Sequence, residues 1–394
     1  MPIPSLYIHI PFCKRNCHYC DFYSVVTDGC HCEPPKAAKQ SFPLAQDYVS
    51  ALISQIEPLQ QRFNTVYIGG GTPTALPKAQ LGELLKSLSK NITKDTEFTV
   101  EANPESLDDK KTKLLLDCGV NRLSIGLQSL DDRKLKKLGR IHNAAKAVEA
   151  IRRAAKLGFA DLSADLIFGV WGEDLHSWER ELEEAAKLPI THISCYSLTY
   201  ENGTPLFNAL KNKSVAPLDD DTVAAMYETA IDRLGLRGFK QYEISSFAKN
   251  GRRSIHNMSY WDNNPYIGLG ASAVSYIDGT RSKNIADVAE YITRVNEGRS
   301  LAESSEKLSP VKRARETAAV KIRTKDGIDF AWFKAKTGYD FFELESKAIA
   351  GLISNGFIKY KKDSATGAPV GAPTGIALKR KGFLFCDTVS SALL

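Results

Sequence analysis

The sequence of 394 residues predicts an α/β fold: a partial (β/α)6 barrel, three-quarters of a closed ring, followed by a small winged-helix-like C-terminal domain. Three observations carry that prediction. Short β-branched runs alternate six times with longer stretches of helical periodicity, the pattern of repeated βα units around a parallel sheet. Polar residues sit at or just past the carboxyl end of each run, so they would meet on one rim, as in a barrel, rather than at the single switch point of an open sheet. Three cysteines crowd into the first strand-to-helix connection.

The strands read Leu6 to Ile10, Thr65 to Ile68, Phe98 to Glu101, Arg122 to Ile125, Leu162 to Ile167 and His192 to Tyr196. Their β-branched and aromatic content is what a pleated surface buried on both faces favours. The helical stretches that follow run from Ala45 to Leu59, Ala79 to Leu88, Lys110 to Cys118, Ala144 to Leu157, Trp178 to Leu188 and Thr222 to Leu234. Between the first strand and its helix, Thr27 to Ser41 breaks the pattern with glycine, a proline pair and polar residues, which predicts a surface insertion. From Gly238 the alternation decays into the aromatic, glycine-containing segments YEISSFA and YIGLGASAVSY, read as further strands or loops on the barrel's side. After Leu308, Val311 to Arg323 and Phe341 to Asn355 read as helices, and Gly356 to Lys361 with Gly375 to Leu378 as a hairpin around the disordered-looking loop SATGAPVGAPT. The expected divisions are therefore 1–236, 237–308 and 309–394.

Composition narrows the class. Apolar residues at 43% and charged residues at 25% are ordinary globular usage, which excludes collagen, coiled coil and whole-chain disorder. A net charge of +6 over so long a chain, without a dense basic helix, argues against nucleic acid as partner. Eight cysteines are too few for a disulfide scaffold and favour cofactor chemistry in a reducing compartment. No secretory signal and no run of 18 apolar residues is visible, so a cytoplasmic location is expected.

Cys13, Cys17 and Cys20 stand in PFCKRNCHYCDF, a C-x3-C-x2-C spacing on a loop leaving a strand. Thiolates hold iron-sulfur clusters, and close spacing lets one loop wrap one cluster. Three cysteines leave a cubane one ligand short. Zinc is the competing reading, but a structural zinc site wants four protein ligands, and no second C-x2-C arm is present.

The spacing resembles the radical SAM superfamily, in which such a loop binds a [4Fe-4S] cluster whose open iron is chelated by S-adenosylmethionine. Six further segments resemble its oxygen-independent coproporphyrinogen oxidase branch: Tyr7 to Phe12, Ile68 to Pro73, Glu101 to Pro104, Ser124 to Ser129, Leu138 to His142 and Asp165 to Gly169. The resemblance implies that Tyr7, Tyr19, Gly70, Gly71 and Thr72 contact S-adenosylmethionine. Glu101, Gln128, Arg140 and Asp165 supply the donors and acceptors that a zwitterion and a ribose require. Glycines after the second strand let backbone approach such a ligand, and their run lacks the G-x-G-x-x-G spacing of a pyrophosphate site. In the oxidase, a 5′-deoxyadenosyl radical abstracts hydrogen from a propionate, and loss of carbon dioxide leaves a vinyl group.

Two departures separate this chain from the oxidase. Phe22 occupies the position of the oxidase's fourth cysteine, and the chain starts only a few residues before the first strand. Both features resemble the HemW-type haem chaperones, which keep the cluster and S-adenosylmethionine sites and pass haem to apoproteins. His256-Asn257-Met258-Ser259-Tyr260-Trp261 matches the HNxxYW motif of that branch and makes His256 the candidate haem ligand. The resemblance implies haem-accepting apoproteins and a small electron donor such as a flavodoxin or ferredoxin as partners. It also suggests homodimerisation and peripheral membrane contact, for which no heptad or amphipathic anchor is visible. The alternative is an oxygen-independent coproporphyrinogen III dehydrogenase, which Phe22 disfavours. Gly169-Val170-Trp171-Gly172-Glu173 departs from the usual GLPGQ, and Cys30-His31-Cys32 is read as part of a solvated loop.

Overall fold

A computed structural model of the chain describes residues 3–26, 36–362 and 373–394. Six parallel strands form its centre: β1 (Ser5–Ile10), β2 (Thr65–Gly70), β3 (Glu97–Ala102), β4 (Arg122–Gln128), β5 (Asp161–Phe168) and β6 (His192–Ser197). They pair in chain order, for example Ser5 opposite Thr65 through Ile10 opposite Gly70. The period of two divides each strand cleanly. Leu6, Ile8, Val66, Ile68, Phe98, Val100, Leu123, Ile125, Leu162, Ala164 and Ile193 pack outward into a continuous apolar core. The intervening residues point into the barrel and are largely polar, so the interior is a column of hydrogen-bonding groups rather than a second apolar core.

Helices cover the outside: α1 (Lys36–Ile56), α2 (Lys78–Ser87), α3 (Asp109–Asp117), α4 (Ala144–Leu157), α5 (Leu175–Ala186) and α6 (Asp220–Leu236). Several start where a side chain satisfies an orphan amide: Asp108, Asn143 and Asp219 each accept a backbone N–H, and Asp174 with Ser177 forms a reciprocal capping box. In α5 the wholly buried Trp178 donates its indole N–H to the Met226 carbonyl of α6 at 2.9 Å, locking the two helices together.

The sheet is larger than six strands. A seventh, β7 (Tyr266–Leu269), pairs parallel to the free edge of β1, and Val274–Ile277, Thr280–Asn284 and Ala302–Lys307 continue antiparallel beyond it. On the other edge Ser246–Ala248 runs antiparallel to β6. The strand order is linear, so the barrel stays open. Helix α1 begins at Lys36, which shortens the insertion expected over Thr27 to Ser41. The rest of that insertion, with Cys30, His31 and Cys32, and most of the loop SATGAPVGAPT lie outside the described residues. Past Leu308, helices Pro310–Lys321 and Phe341–Ser354 form close to their expected bounds, and Ile358–Lys362 pairs antiparallel with Pro373–Leu378.

The lower, amino-terminal end of the barrel is closed by a seven-residue helix, α7 (Ile255–Trp261), that carries the HNxxYW segment. It meets the first residues of several strands. Glu97 accepts the backbone N–H groups of Ile255 and His256, each at 2.8 Å, and Ser5 bonds Ser259 at 3.1 Å. Beside it, Arg122 pairs with Asp161 at 2.8 Å.

Candidate functional site

At the opposite, carboxyl-terminal end, the six strand ends open into a cavity of about 440 Å³. Cys13, Cys17, Cys20 and Tyr19 line it from the loop after β1, and Gly70, Gly71 and Thr72 from that after β2. Glu101 and Asn103 come from β3 and its exit, Ser124 and Gln128 from β4, Arg140 from the turn beyond it, Asp165 from β5 and Tyr196 from β6. All but two of the residues singled out in the sequence are therefore brought together; Tyr7 and His256 are the exceptions.

The cysteine loop is pinned at several points. Phe12 and Cys13 pair with Val25 and Val26, closing the loop on itself. Backbone amides of Gly71 and Thr72 donate to the carbonyls of Ile10 and Phe12 at 2.9 and 2.8 Å. That approach explains Gly71, where a Cβ would fall 2.9 Å from both carbonyl oxygens. Gly70 has φ +106°, and a Cβ there would strike the His9 ring at 2.5 Å. On the far side, His18 bonds the Leu138 carbonyl through its amide (3.0 Å) and that of Lys137 through its ring (2.9 Å).

A hydrogen-bonded strap joins two of the thiols. Arg140 donates to the Cys17 sulfur at 3.3 Å and to Asn103 Oδ1 at 2.5 Å. Asn103 donates to Thr72 Oγ1 at 2.7 Å, which lies 3.4 Å from the Cys13 sulfur. Either partner can donate while the thiol is protonated; toward a Cys13 thiolate only the Thr72 hydroxyl can. Burial pushes the Cys20 thiol up to about 12 and raises that of Cys13, with the Thr72 bond working against the latter. Such thiols become good ligands once a cation replaces the proton.

Two acids share the cavity wall. Burial raises Glu101 to about 7 against bonds from the Tyr67 hydroxyl (2.6 Å) and the Gly70 amide (3.2 Å), and Asp165 adds to the rise. Asp165 itself is raised to about 6 by burial, with Ser124 at 3.2 Å opposing. Gln128 sits at φ +60°, opposite Leu166 and just past a register shift in the β4–β5 pairing, and lines the cavity. The segment Gly169 to Glu173 forms a tight turn in which Val170 and Glu173 bond each other, at 2.9 and 3.0 Å.

Residues 7–185 match the Radical SAM superfamily model. The chain is 35% identical to "Heme chaperone HemW" of Bacillus subtilis, over 90% of this chain and 92% of that protein. It is 34% identical to the protein of the same name from Lactococcus lactis, covering 89% of each. The chain belongs to the HemW family of the radical SAM superfamily. A solved structure, the coproporphyrinogen III oxidase of Escherichia coli, superposes over 99% of this chain and 90% of its own with a TM-score of 0.80 at 21% identity, and so shares the fold.

Within this HemW-family chain, the two exceptions are informative. Tyr7 lies below the cavity, its hydroxyl 3.0 Å from His9 Nδ1 and its ring stacked on Tyr67. His256, expected as a haem ligand, is 1% exposed in α7, at the end of the barrel away from the cavity. Its ring nitrogens are taken by Thr65 (2.8 Å) and Tyr260 (2.9 Å), and burial depresses its pKa to about 3. In this conformation both imidazole nitrogens are hydrogen-bonded and the ring is stacked on Tyr67. Asn103, Ser124, Tyr67 and His18 were passed over. Asn103 and Ser124 stand inside quoted motifs, and Tyr67 falls on the inward set of β2 with Thr65 and Gly69, which is the signal that could have found them.

Proposed function

We propose that this chain is a haem chaperone: it binds a [4Fe-4S] cluster through Cys13, Cys17 and Cys20, holds S-adenosylmethionine in the adjoining cavity, and carries haem for delivery to apoproteins. The observation that supports it best is the meeting of three thiols with strand-end polar groups around one cavity, in a chain that aligns with relatives named heme chaperone across nine-tenths of its length. The residues present fit both groups. Cys13, Cys17 and Cys20 line the cavity from one short loop, the arrangement in which thiolates wrap a cluster. Arg140 donates to the Cys17 sulfur and Thr72 stands where its hydroxyl would donate to a Cys13 thiolate, and hydrogen bonds to sulfur are what tune such a cluster.

For the zwitterion and ribose of S-adenosylmethionine, Glu101 and Asp165 offer acceptors, Arg140 a donor, and Gln128 both, with Tyr19, Gly70, Gly71 and Thr72 lining the same space. The chemistry that the cluster supplies when bound is one-electron reduction of the sulfonium. The protein's part is to orient the ligand and exclude water from it. A small electron donor of the flavodoxin or ferredoxin class would serve the cluster. Homodimerisation and transient membrane contact are compatible with this reading, and among the described residues no helix is long and apolar enough to cross a membrane. Residues 1–236 would carry the cofactors, 237–308 close the barrel's lower end and side, and 309–394 form an appended winged-helix-like unit without a role in nucleic-acid binding.

An anaerobic assay tests the proposal, using cluster-reconstituted protein, a strong reductant, S-adenosylmethionine and coproporphyrinogen III, beside a haem titration and transfer to an apoprotein. The expected result is haem uptake and transfer, no vinyl porphyrin, and loss of cluster iron in Cys17→Ala. Sustained vinyl product that disappears in Cys17→Ala would make the protein an oxidative decarboxylase instead.

A further inference from the structure

His256 is enclosed at the lower end of the barrel, and its contacts say what it does there. Its ring is fixed at both nitrogens, by Thr65 from β2 and by Tyr260 one turn along α7. It lies face to face with Tyr67, the ring centroids 5.0 Å apart at 27°, and edge-on to Tyr260 at 4.8 Å and 83°. Tyr7 stacks on the same Tyr67 ring from β1, at 6.2 Å and 29°. Tyr67 is thereby held in one plane, and its hydroxyl donates to Glu101 Oε1 at 2.6 Å. The second oxygen of Glu101 accepts the Gly70 amide at 3.2 Å, and Glu101 lines the cavity.

The contacts thus run without a gap from the lower plug to the cofactor cavity. Glu97 strengthens the lower anchor by accepting the first two amides of α7, which fixes where the His256 backbone begins. A buried aromatic ring pair has a narrow set of favourable geometries, so a ring clamped at both nitrogens restricts the ring packed on it. A tyrosine restricted in that way presents its hydroxyl in one direction only, and the carboxylate bonded to it inherits that direction.

We propose that His256 is a positioning residue for the cavity and not a haem ligand: through Tyr67 it sets the orientation of the Glu101 carboxylate that meets S-adenosylmethionine. This rests on the reading of the cavity given above. It assigns the HNxxYW segment a role in cofactor binding exerted across the height of the barrel. Glu101 is the group that touches the ligand; Tyr67 and His256 act through it.

The test uses the full-length, cluster-reconstituted chain and measures equilibrium binding of S-adenosylmethionine and, separately, of haem by its Soret band. His256→Ala and Tyr67→Phe should each weaken S-adenosylmethionine binding about tenfold, as loss of an oriented bond to a charged group does. The double variant should lose no more than either alone, because both break one path. His256→Gln, which keeps an amide able to reach Thr65 or Tyr260, should retain most of the affinity, and haem binding should be unchanged throughout. Loss of haem in His256→Ala with S-adenosylmethionine binding intact overturns the proposal, as do additive losses in the double variant. Should His256→Ala fail to fold, Tyr67→Phe, which removes only an oxygen, carries the test. If the wild-type chain takes up no S-adenosylmethionine, the cavity reading fails, and positioning is decided in ligand-free protein by the infrared carboxyl band of Glu101, assigned with Glu101→Gln. A band that shifts in both variants upholds it; a band unmoved by Tyr67→Phe overturns it.

Discussion

At the lower end of the barrel the inward polar groups of Ser5, Thr65, Glu97, Arg122 and Asp161 each find a partner, on α7, on its approach or on a neighbouring strand. At the upper end, the same strands finish in Glu101, Gln128, Asp165 and Tyr196, which face a cavity, and Tyr196 is 44% exposed. The strands, their register and their residue types are shared. The difference is that α7 returns to fill one end and nothing in the described chain fills the other. Buried polar groups are tolerable when every member is satisfied, and then they make structure; polar groups that converge on open volume make a binding site. Burial lifts the acids of both ends above ordinary carboxylate values, Glu97 at the lower end as well as Glu101 and Asp165 at the upper.

The largest expected effect that separates the two ends is on folding. Arg122 and Asp161 are 3% and 13% exposed and sit at the lower end. Arg122→Met leaves the Asp161 charge buried with one bond fewer and should cost about 3–5 kcal/mol in denaturant unfolding. Cluster content per folded molecule should be unchanged. A variant of normal stability that had lost its cluster would break the division between a structural and a functional end.

Much of this was legible in the sequence. The six strands appear within three residues of their expected bounds because alternation of core-facing and barrel-facing residues is a local property. The rim residues Cys13, Cys17, Cys20, Glu101, Arg140 and Asp165 converge because strand ends in a parallel barrel must. The position of His256 at the lower end was not legible, for the complementary reason. A motif specifies which residues occur together and says nothing about which end of the barrel the chain returns to, and α7 comes back only after all six strands are laid down. Its partners Thr65 and Glu97 are 191 and 159 residues away. Beyond β1, Tyr266–Leu269 and Val274–Ile277 fall in the segment read as further strands or loops, whereas Ala302–Lys307 escaped because it is exposed throughout and carries no apolar alternation.

A second, smaller effect sharpens the comparison by pH. Glu101 and Asp165 have folded pKa values raised to about 7 and about 6, above the unfolded carboxylate range, so between those limits the folded state binds more protons. Their contribution to stability is therefore fully present below the unfolded pKa and is lost as pH rises toward 6 to 7. Ligand-free protein should lose stability across that window with a slope of at most about 1.4 kcal/mol per pH unit for each group. Glu101→Gln should flatten the upper part of the profile in chemical denaturation. An unchanged profile would mean that the upper end is as well satisfied as the lower.

The smallest expected effect concerns the strap itself. Thr72 accepts from Asn103 and lies 3.4 Å from the Cys13 sulfur, to which its hydroxyl donates once Cys13 is a thiolate, so Thr72→Val keeps the shape and removes both bonds. The loss in stability should be only about 1 kcal/mol, since the remaining Asn103 amide faces a cavity and can find water. The sulfur, by contrast, loses a hydrogen-bond donor, and clusters whose sulfurs receive fewer hydrogen bonds are harder to reduce. Potentiometric titration of the reconstituted protein should therefore register a lower reduction potential in Thr72→Val with cluster content unchanged. Arg133→Ala, on an exposed pair with Asp131, should alter neither quantity. If Thr72→Val moves stability by several kcal/mol and leaves the potential in place, the strap belongs with the packed lower end of the barrel rather than with the cofactor.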